Sequence, residues 1–150
     1  MYAQANEYVP QCVPRGAARG SVFVWAALSA VSLGLLGLAL VAPVLLAHGY
    51  SQPASFIYRG FSFLCHQLPS RSFHLEGHAL GVCARCTGIY AGFAVSVLFY
   101  PLVRSMERAE TPRRIWLVLA CVPIAVDFAL GFFGIWPNTH FSRFTTGAIF

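Results

Sequence analysis

The sequence predicts an all-α integral membrane protein, a small bundle of three transmembrane spans with one interfacial helix, and three observations predict it. Of its 150 residues 57% are hydrophobic and 10% charged, where a soluble domain carries about 25% charged residues. Mean hydropathy is +0.65. Residues 21–47 and 86–103 contain no Asp, Glu, Lys, Arg or His, and residues 115–136 contain only Asp127.

The first span follows from length. At about 1.5 Å of rise per residue, the 27 residues from 21 to 47 exceed the ~30 Å hydrocarbon core of a bilayer. This span tilts, or bends at Pro43 near its far end. Arg15 and Arg19 precede it, but it is too long for a signal peptide and no small-x-small cleavage site follows. The second span needs one more helical turn at its start and is expected over 83–103; the third is expected over 115–136. A tail, 1–20, therefore precedes a single transmembrane domain, 21–150, in which residues 48–85 form a segment between spans one and two.

Arginines set the orientation, because the chain has no lysine. Arg15 and Arg19 flank span one, and Arg104, Arg108, Arg113 and Arg114 fill the connection between spans two and three. These two regions are expected on the cytoplasmic side of the cell (inner) membrane, which places the N-terminus inside and residues 48–85 in the exoplasm. Basic residues flank spans and form no patch interleaved with aromatics, so the charge points to a lipid bilayer and to no nucleic acid.

Within the exoplasmic segment, Ser51 and Pro53 signal a helix start, and Phe56, Tyr58, Phe61 and Phe63 follow with the single charge of Arg59. Such a helix suits the headgroup layer, where an aromatic ring is buried at one end and wet at the other; a partly buried packing helix is the alternative. In span two, Ala84, Gly88, Gly92 and Ser96 recur every fourth residue and allow close approach of another backbone. The expected use is packing within the bundle; self-association through Gly88 and Gly92 is the alternative.

The chemistry concentrates in a short stretch. Six of the ten cysteines and histidines fall in the 22 residues from Cys65 to Cys86. Cys83 and Cys86 lie at the start of span two, so both thiols face one side of its first turn, where the helix N-terminus and Arg85 favour a thiolate. A metal site would add Cys65 or His66 as third ligand. These two are neighbours whose side chains usually diverge, so His74 and His78, four apart on one helical face, are alternative nitrogen donors. Tetrahedral N/S donors suit zinc or another transition metal. With only Met1 and Met106, a thioether-rich copper site is disfavoured, and Thr87 after the C-x-x-C removes the haem-attachment motif.

The same atoms suit redox chemistry: Cys83 and Cys86 as a couple, Cys65 as resolving thiol, and a membrane quinone as electron acceptor. No second cysteine pair is evident, since Cys12 and Cys121 stand apart. A third reading is a disulfide or metal that only staples the exoplasmic segment to span two.

Asp127 is about halfway along span three, where an ionised carboxylate costs at least ~2.5 kcal/mol. It is expected to pair with Arg85 or Arg143, the alternative being a protonated carboxyl that transfers protons. After span three, Asn138, His140, Arg143, Thr145 and Thr146 lie on the exoplasmic side, where Arg143 can complete a polar floor beside the thiols or hold an anion.

The stretches "CHQLPSRSF" and "GVCARCTGIYAG", with Asp127 and an "N…R…TG" pattern near the end, resemble the uncharacterised prokaryotic membrane proteins of domain of unknown function 2085. The resemblance covers roughly residues 55–147. It places Cys65, His66, Gln67, Arg71, Ser72, Cys83, Arg85, Cys86, Thr87 and Gly88 on the family signature, with Asp127, Asn138, Arg143 and Gly147 further along. It also implies a further span after the "TG" element, so a truncated fourth span is expected here. It implies no reaction. The residues favour a zinc-like site of Cys65, Cys83 and Cys86 with His66, His74 or His78, and with Arg71 and Arg85 offsetting the thiolate charge. The alternatives are a quinone-coupled thiol-disulfide oxidoreductase and a non-catalytic assembly or transport subunit.

Overall fold

The computed structural model describes residues 15–104 and 114–150. Cys12 and the arginine-rich connection with Arg108 and Arg113 lie outside the described residues. Those described form five α-helices and one two-stranded hairpin, and three of the helices are long and apolar enough to cross a membrane.

Helix α1, Arg15–Ala47, contains the longest apolar stretch, Gly20–Ala47. Its buried positions are Ser29, Ser32, Ala39, Ala42 and Pro43, separated by intervals of three, seven, three and one that keep them on one face. Small side chains there let neighbouring backbone approach. Pro43 has no N–H, so the carbonyl of Ala39 loses its helical donor. Gly81 supplies one instead, its backbone N–H lying 3.2 Å from that oxygen.

Gly49, at φ 82°, turns the chain into α2, Ser51–Ser62. Ala54 and Phe61 are buried against the rest of the protein, while Phe56 and Phe63 are exposed. Beyond α2, a 3-10 turn over Pro69–Arg71 leads to a hairpin of β1, His74–Leu75, and β2, His78–Ala79. The strands are antiparallel, with His74 opposite Ala79 and Leu75 opposite His78. Glu76 and Gly77 form the turn with φ 52° and 79°, consecutive left-handed residues that match the twist of a two-residue hairpin loop. His74 and His78 thus sit on a hairpin and not on one helical face, because the Glu76-Gly77 pair breaks the helix between them.

Helix α3, Ala84–Val103, returns across the apolar layer beside α1. Here too a proline frees a carbonyl: Pro101 cannot donate to Val97, and the indole N–H of Trp25 on α1 binds that oxygen at 2.7 Å. The two prolines therefore tie α1 and α3 together, each helix or its approach supplying the donor that the other lacks. In lipid this matters, since no water is present to satisfy an open carbonyl.

Helix α4, Arg114–Phe132, buries no residue. It stops four residues short of the expected Trp136 because Gly134 turns left-handed at φ 66°, and the N–H groups of Ile135 and Trp136 return to the carbonyl of Leu130.

The last helix, α5, His140–Ile149, begins at Thr139, whose hydroxyl accepts the Ser142 N–H at 3.0 Å. It runs parallel to α3 at very close range. A Cβ on Gly88 would lie 2.1 Å from the Phe144 carbonyl oxygen, and one on Gly92 would lie 2.2 Å from that of Ala148. Gly147 answers from the other side, where a Cβ would meet the Arg85 oxygen at 2.3 Å. The Gly88/Gly92 face is therefore filled by the chain's own α5 and is not open for self-association.

Candidate functional site

The elements around α3's first turn bring three sulfurs together. Cys65 follows α2, Cys83 is the N-cap of α3, and Cys86 is the third residue of that helix. Their Sγ atoms all lie within 4.8 Å of one another, and none of the three is in a disulfide. Cys65 is 7% exposed and packs with Ala39, Phe61 and Val82, whereas Cys83 and Cys86 are half-buried.

Local backbone geometry aims these thiols. Gln67 takes φ 48° and folds the chain back, so that its N–H and that of Cys83 point at the Cys65 sulfur, at 3.5 and 3.2 Å. Its side-chain amide binds the carbonyls of Tyr58 and Gly81 at 2.7 and 2.8 Å, latching α2 to the approach to α3. The Tyr58 hydroxyl donates to the carbonyl of Ala79. Ser72, fully buried, closes the 3-10 turn by donating to Leu68 O at 3.0 Å. Thr87 donates its hydroxyl to Cys83 O at 3.1 Å, so the C-x-x-C turn is fixed at its start.

The electrostatics favour an anionic sulfur at Cys83. The thiol hydrogen bond from Cys86 is the largest influence on Cys83 and, with the backbone N–H groups of Cys86 and Arg85 and despite partial burial, lowers its pKa to about 5. Two backbone N–H groups point at the Cys65 sulfur, and such donors support a metal-bound sulfur. Three ligand sulfurs on tetrahedral zinc, with Zn–S about 2.3 Å, stand about 3.8 Å apart. A small inward rotation of the side chains reaches that spacing.

No histidine joins the three sulfurs among the described residues. His66 is exposed beside Cys65, turned away as neighbouring side chains generally are, and His74 and His78 are exposed on the hairpin. Among the described residues the fold gathers three candidate ligands, all cysteine.

Asp127 is paired with Arg85, whose guanidinium donates to its Oδ2. Asn138 donates to the same oxygen at 3.0 Å and to the Asp127 carbonyl at 2.7 Å. Asn138 lies so close to α4 that a Cβ on Gly131 would meet its Oδ1 at 1.9 Å. A cavity of about 300 Å³ opens on this side of the sulfurs, with Cys83, Cys86, Arg71, Arg85 and Arg143 in its wall. Burial, then the positive charges of Arg71 and Arg85, lower the pKa of Arg143 from its ordinary value.

Sequence reasoning passed over several of these residues. Gln67, Gly81 and Gly131 position the site and Trp25 ties α1 to α3 further along; of these only Gln67 carried a signal, its place in the "CHQ" stretch. The prolines offered another: each predicts an open carbonyl four residues earlier, at Ala39 and Val97, although not the donor that meets it.

A family profile described as "Predicted membrane protein (DUF2085)" matches residues 65–150. The chain belongs to this family. An uncharacterised protein of Methanocaldococcus jannaschii is 39% identical over 93 residues, which are 62% of this chain and 60% of that protein. An uncharacterised protein of Methanothermobacter thermautotrophicus is 33% identical over 87 residues, 58% of this chain and 77% of that protein. The chain thus spans about three fifths of the length of the first of these relatives. No solved structure matches significantly.

The match begins at Cys65, the first sulfur of the cluster, and runs through α3, α4 and α5. The DUF2085 region therefore contains all three sulfurs, the Arg85–Asp127 pair and the α3/α5 glycine contact, while α1 and α2 precede it.

Proposed function

We propose that this DUF2085 protein is a membrane metal-binding protein whose site, zinc-like in its ligands, is formed by Cys65, Cys83 and Cys86. The observation that carries the reading is the convergence of three sulfurs within 4.8 Å, from positions up to 21 residues apart, in a pocket with backbone N–H groups aimed at one of them. A disulfide staple needs only two sulfurs and gives no reason to hold the third close. Cys65, Cys83 and Cys86 would hold the ion with three thiolates, a ligand number that would leave room for water or a substrate; sites of that kind in other proteins are often catalytic. Arg85, locked by Asp127, and Arg71 offset the negative charge of three thiolates around a divalent ion.

Arginine placement supports an exoplasmic site at the cell membrane, with the N-terminus in the cytoplasm. The test of function is metal content. Protein purified without chelator is expected to carry about one equivalent of a transition metal, and Cys83→Ser to lose most of it. Trace metal in both forms would rule the reading out.

One observation favours a second reading, thiol-disulfide exchange. Cys83 is acidified and hydrogen-bonded by Cys86 in a C-x-x-C turn, an arrangement that suits a nucleophilic thiol and its partner. Oxidation of that dithiol to a disulfide would pass two electrons and two protons to a quinone, forming the quinol. Counting free thiols in cells as quinone supply changes distinguishes the readings: a redox couple shifts its disulfide fraction, whereas metal ligands stay reduced.

A further inference from the structure

We infer that the cavity beside the sulfur cluster is an oxyanion site, in which Arg71 and Arg143 grip a phosphate group. Its wall carries three guanidinium groups and no carboxylate; Asp127, just behind it, is already engaged by Arg85 and Asn138. Among the described residues, neither the Arg71 nor the Arg143 side chain has a hydrogen-bonding or carboxylate partner. The Nε–H of Arg85 is buried and likewise has no acceptor. Buried donors in native proteins are nearly always satisfied, so this N–H calls for an acceptor in the hollow, and the half-buried Arg143 and the exposed Arg71 add positive charge around the same space.

The sulfurs do not supply the missing negative charge. Three thiolates around a divalent ion carry one net negative charge, and a disulfide with a thiol carries none. In both states the cavity wall keeps a surplus of positive charge. The convergence is also constructed by packing: Phe73, two residues after Arg71, lies 6.0 Å from the ring of Phe144 and 5.7 Å from that of His140. This wedge fixes the 3-10 turn bearing Arg71 against the helix bearing Arg143.

Guanidinium forks suit planar, two-point contact with phosphate oxygens. A volume of about 300 Å³ accommodates a phosphate with a small substituent. The remaining wall includes Phe128 and Phe132, at the end of the apolar helix α4 and both exposed. The end of a spanning helix approaches the headgroup layer, so the group can arrive on an anionic phospholipid or free in water. The inference rests on the arginines and not on a metal at the sulfurs.

The test uses the full chain in nanodiscs of phosphatidylcholine, titrated with inorganic phosphate, and in parallel nanodiscs containing phosphatidylglycerol, read by native mass spectrometry for retained lipid. Arg143→Gln and Arg71→Gln are each expected to weaken binding about tenfold, the loss of one charge-assisted contact, with Arg143→Lys retaining part of it. Saturable phosphate binding in phosphatidylcholine identifies a soluble oxyanion; retention of one phosphatidylglycerol without a phosphate response identifies a headgroup. Either supports the site when the arginine variants lose it. Should Arg143→Gln unfold, as read by circular dichroism, Arg71→Gln on the exposed 3-10 turn decides alone. Equal phosphate binding and equal lipid retention in wild type and the folded variants would overturn the inference.

Discussion

Helices α1 and α4 are both long and apolar, and each contains one interior proline, yet α1 buries a seam of small residues while α4 buries none. Lipid is as apolar as a leucine side chain, so hydrophobicity inserts both helices without saying what either should touch. Position comes from elsewhere. For α1 it comes from serines and alanines on one face and from two hydrogen bonds to carbonyls opened by Pro43 and Pro101. For α4 it comes from one polar point, Asp127 with Arg85 and Asn138. One helix is held along its length and the other at the Asp127 cluster and where it meets α5.

The comparison breaks most visibly at Asp127. Asp127→Ala is expected to cost about 3 kcal/mol, because it leaves the partly buried Arg85 charge unpaired. Asp127→Asn should cost less. Steric-trap or SDS-titration unfolding measures this, and a loss no greater than that of Ser32→Ala in α1 would show that α4 is held by something else.

Next in size is the glycine contact between α3 and α5. Gly88→Ala forces a methyl group against the Phe144 carbonyl and is expected to cost about 1–3 kcal/mol by the same measurement, from overpacking that backbone alone can relieve. Unchanged stability would mean that α5 does not pack there.

The proline stitch predicts a coupling. Trp25→Phe keeps the aromatic ring but leaves the Val97 oxygen open, at about 1 kcal/mol. In a Pro101→Ala background the new N–H restores the helical bond, so Trp25→Phe should then cost almost nothing. Additive effects in the double-mutant cycle would remove the stitch from the account.

The smallest effect is chemical. In metal-stripped protein, alkylation of Cys83 should fall off only as pH drops through about 5, because its lowered pKa keeps the thiolate form above that point. An inflection near the ordinary thiol value of about 8.5 would contradict it.

These two helices also mark what could be read from the sequence. The three spans were legible from uncharged runs, and the cysteine-rich turn from its spacing at the start of a span. Asp127 announced a partner because a lone carboxylate at that depth needs one, and Arg85 is that partner. The hairpin holding His74 and His78 was not legible, since helical spacing by four says nothing about two left-handed residues in between. Helix α5 was hidden for another reason. It has ten residues and mixed polarity, and its existence depends on Gly147 meeting α3, which is a tertiary fact. Its cap at Thr139 was the local cue. The missing histidine ligand has a similar origin: adjacency in sequence to Cys65 placed His66 near the sulfurs but pointed it away.

The central claim, that three sulfurs bind one ion, is tested most directly by X-ray absorption at the metal edge. Wild-type protein is predicted to show a shell of three sulfurs at about 2.3 Å with one lighter ligand, reduced to two sulfurs in Cys65→Ser. A spectrum with only nitrogen and oxygen neighbours, or a sulfur count that Cys65→Ser leaves unchanged, would contradict it.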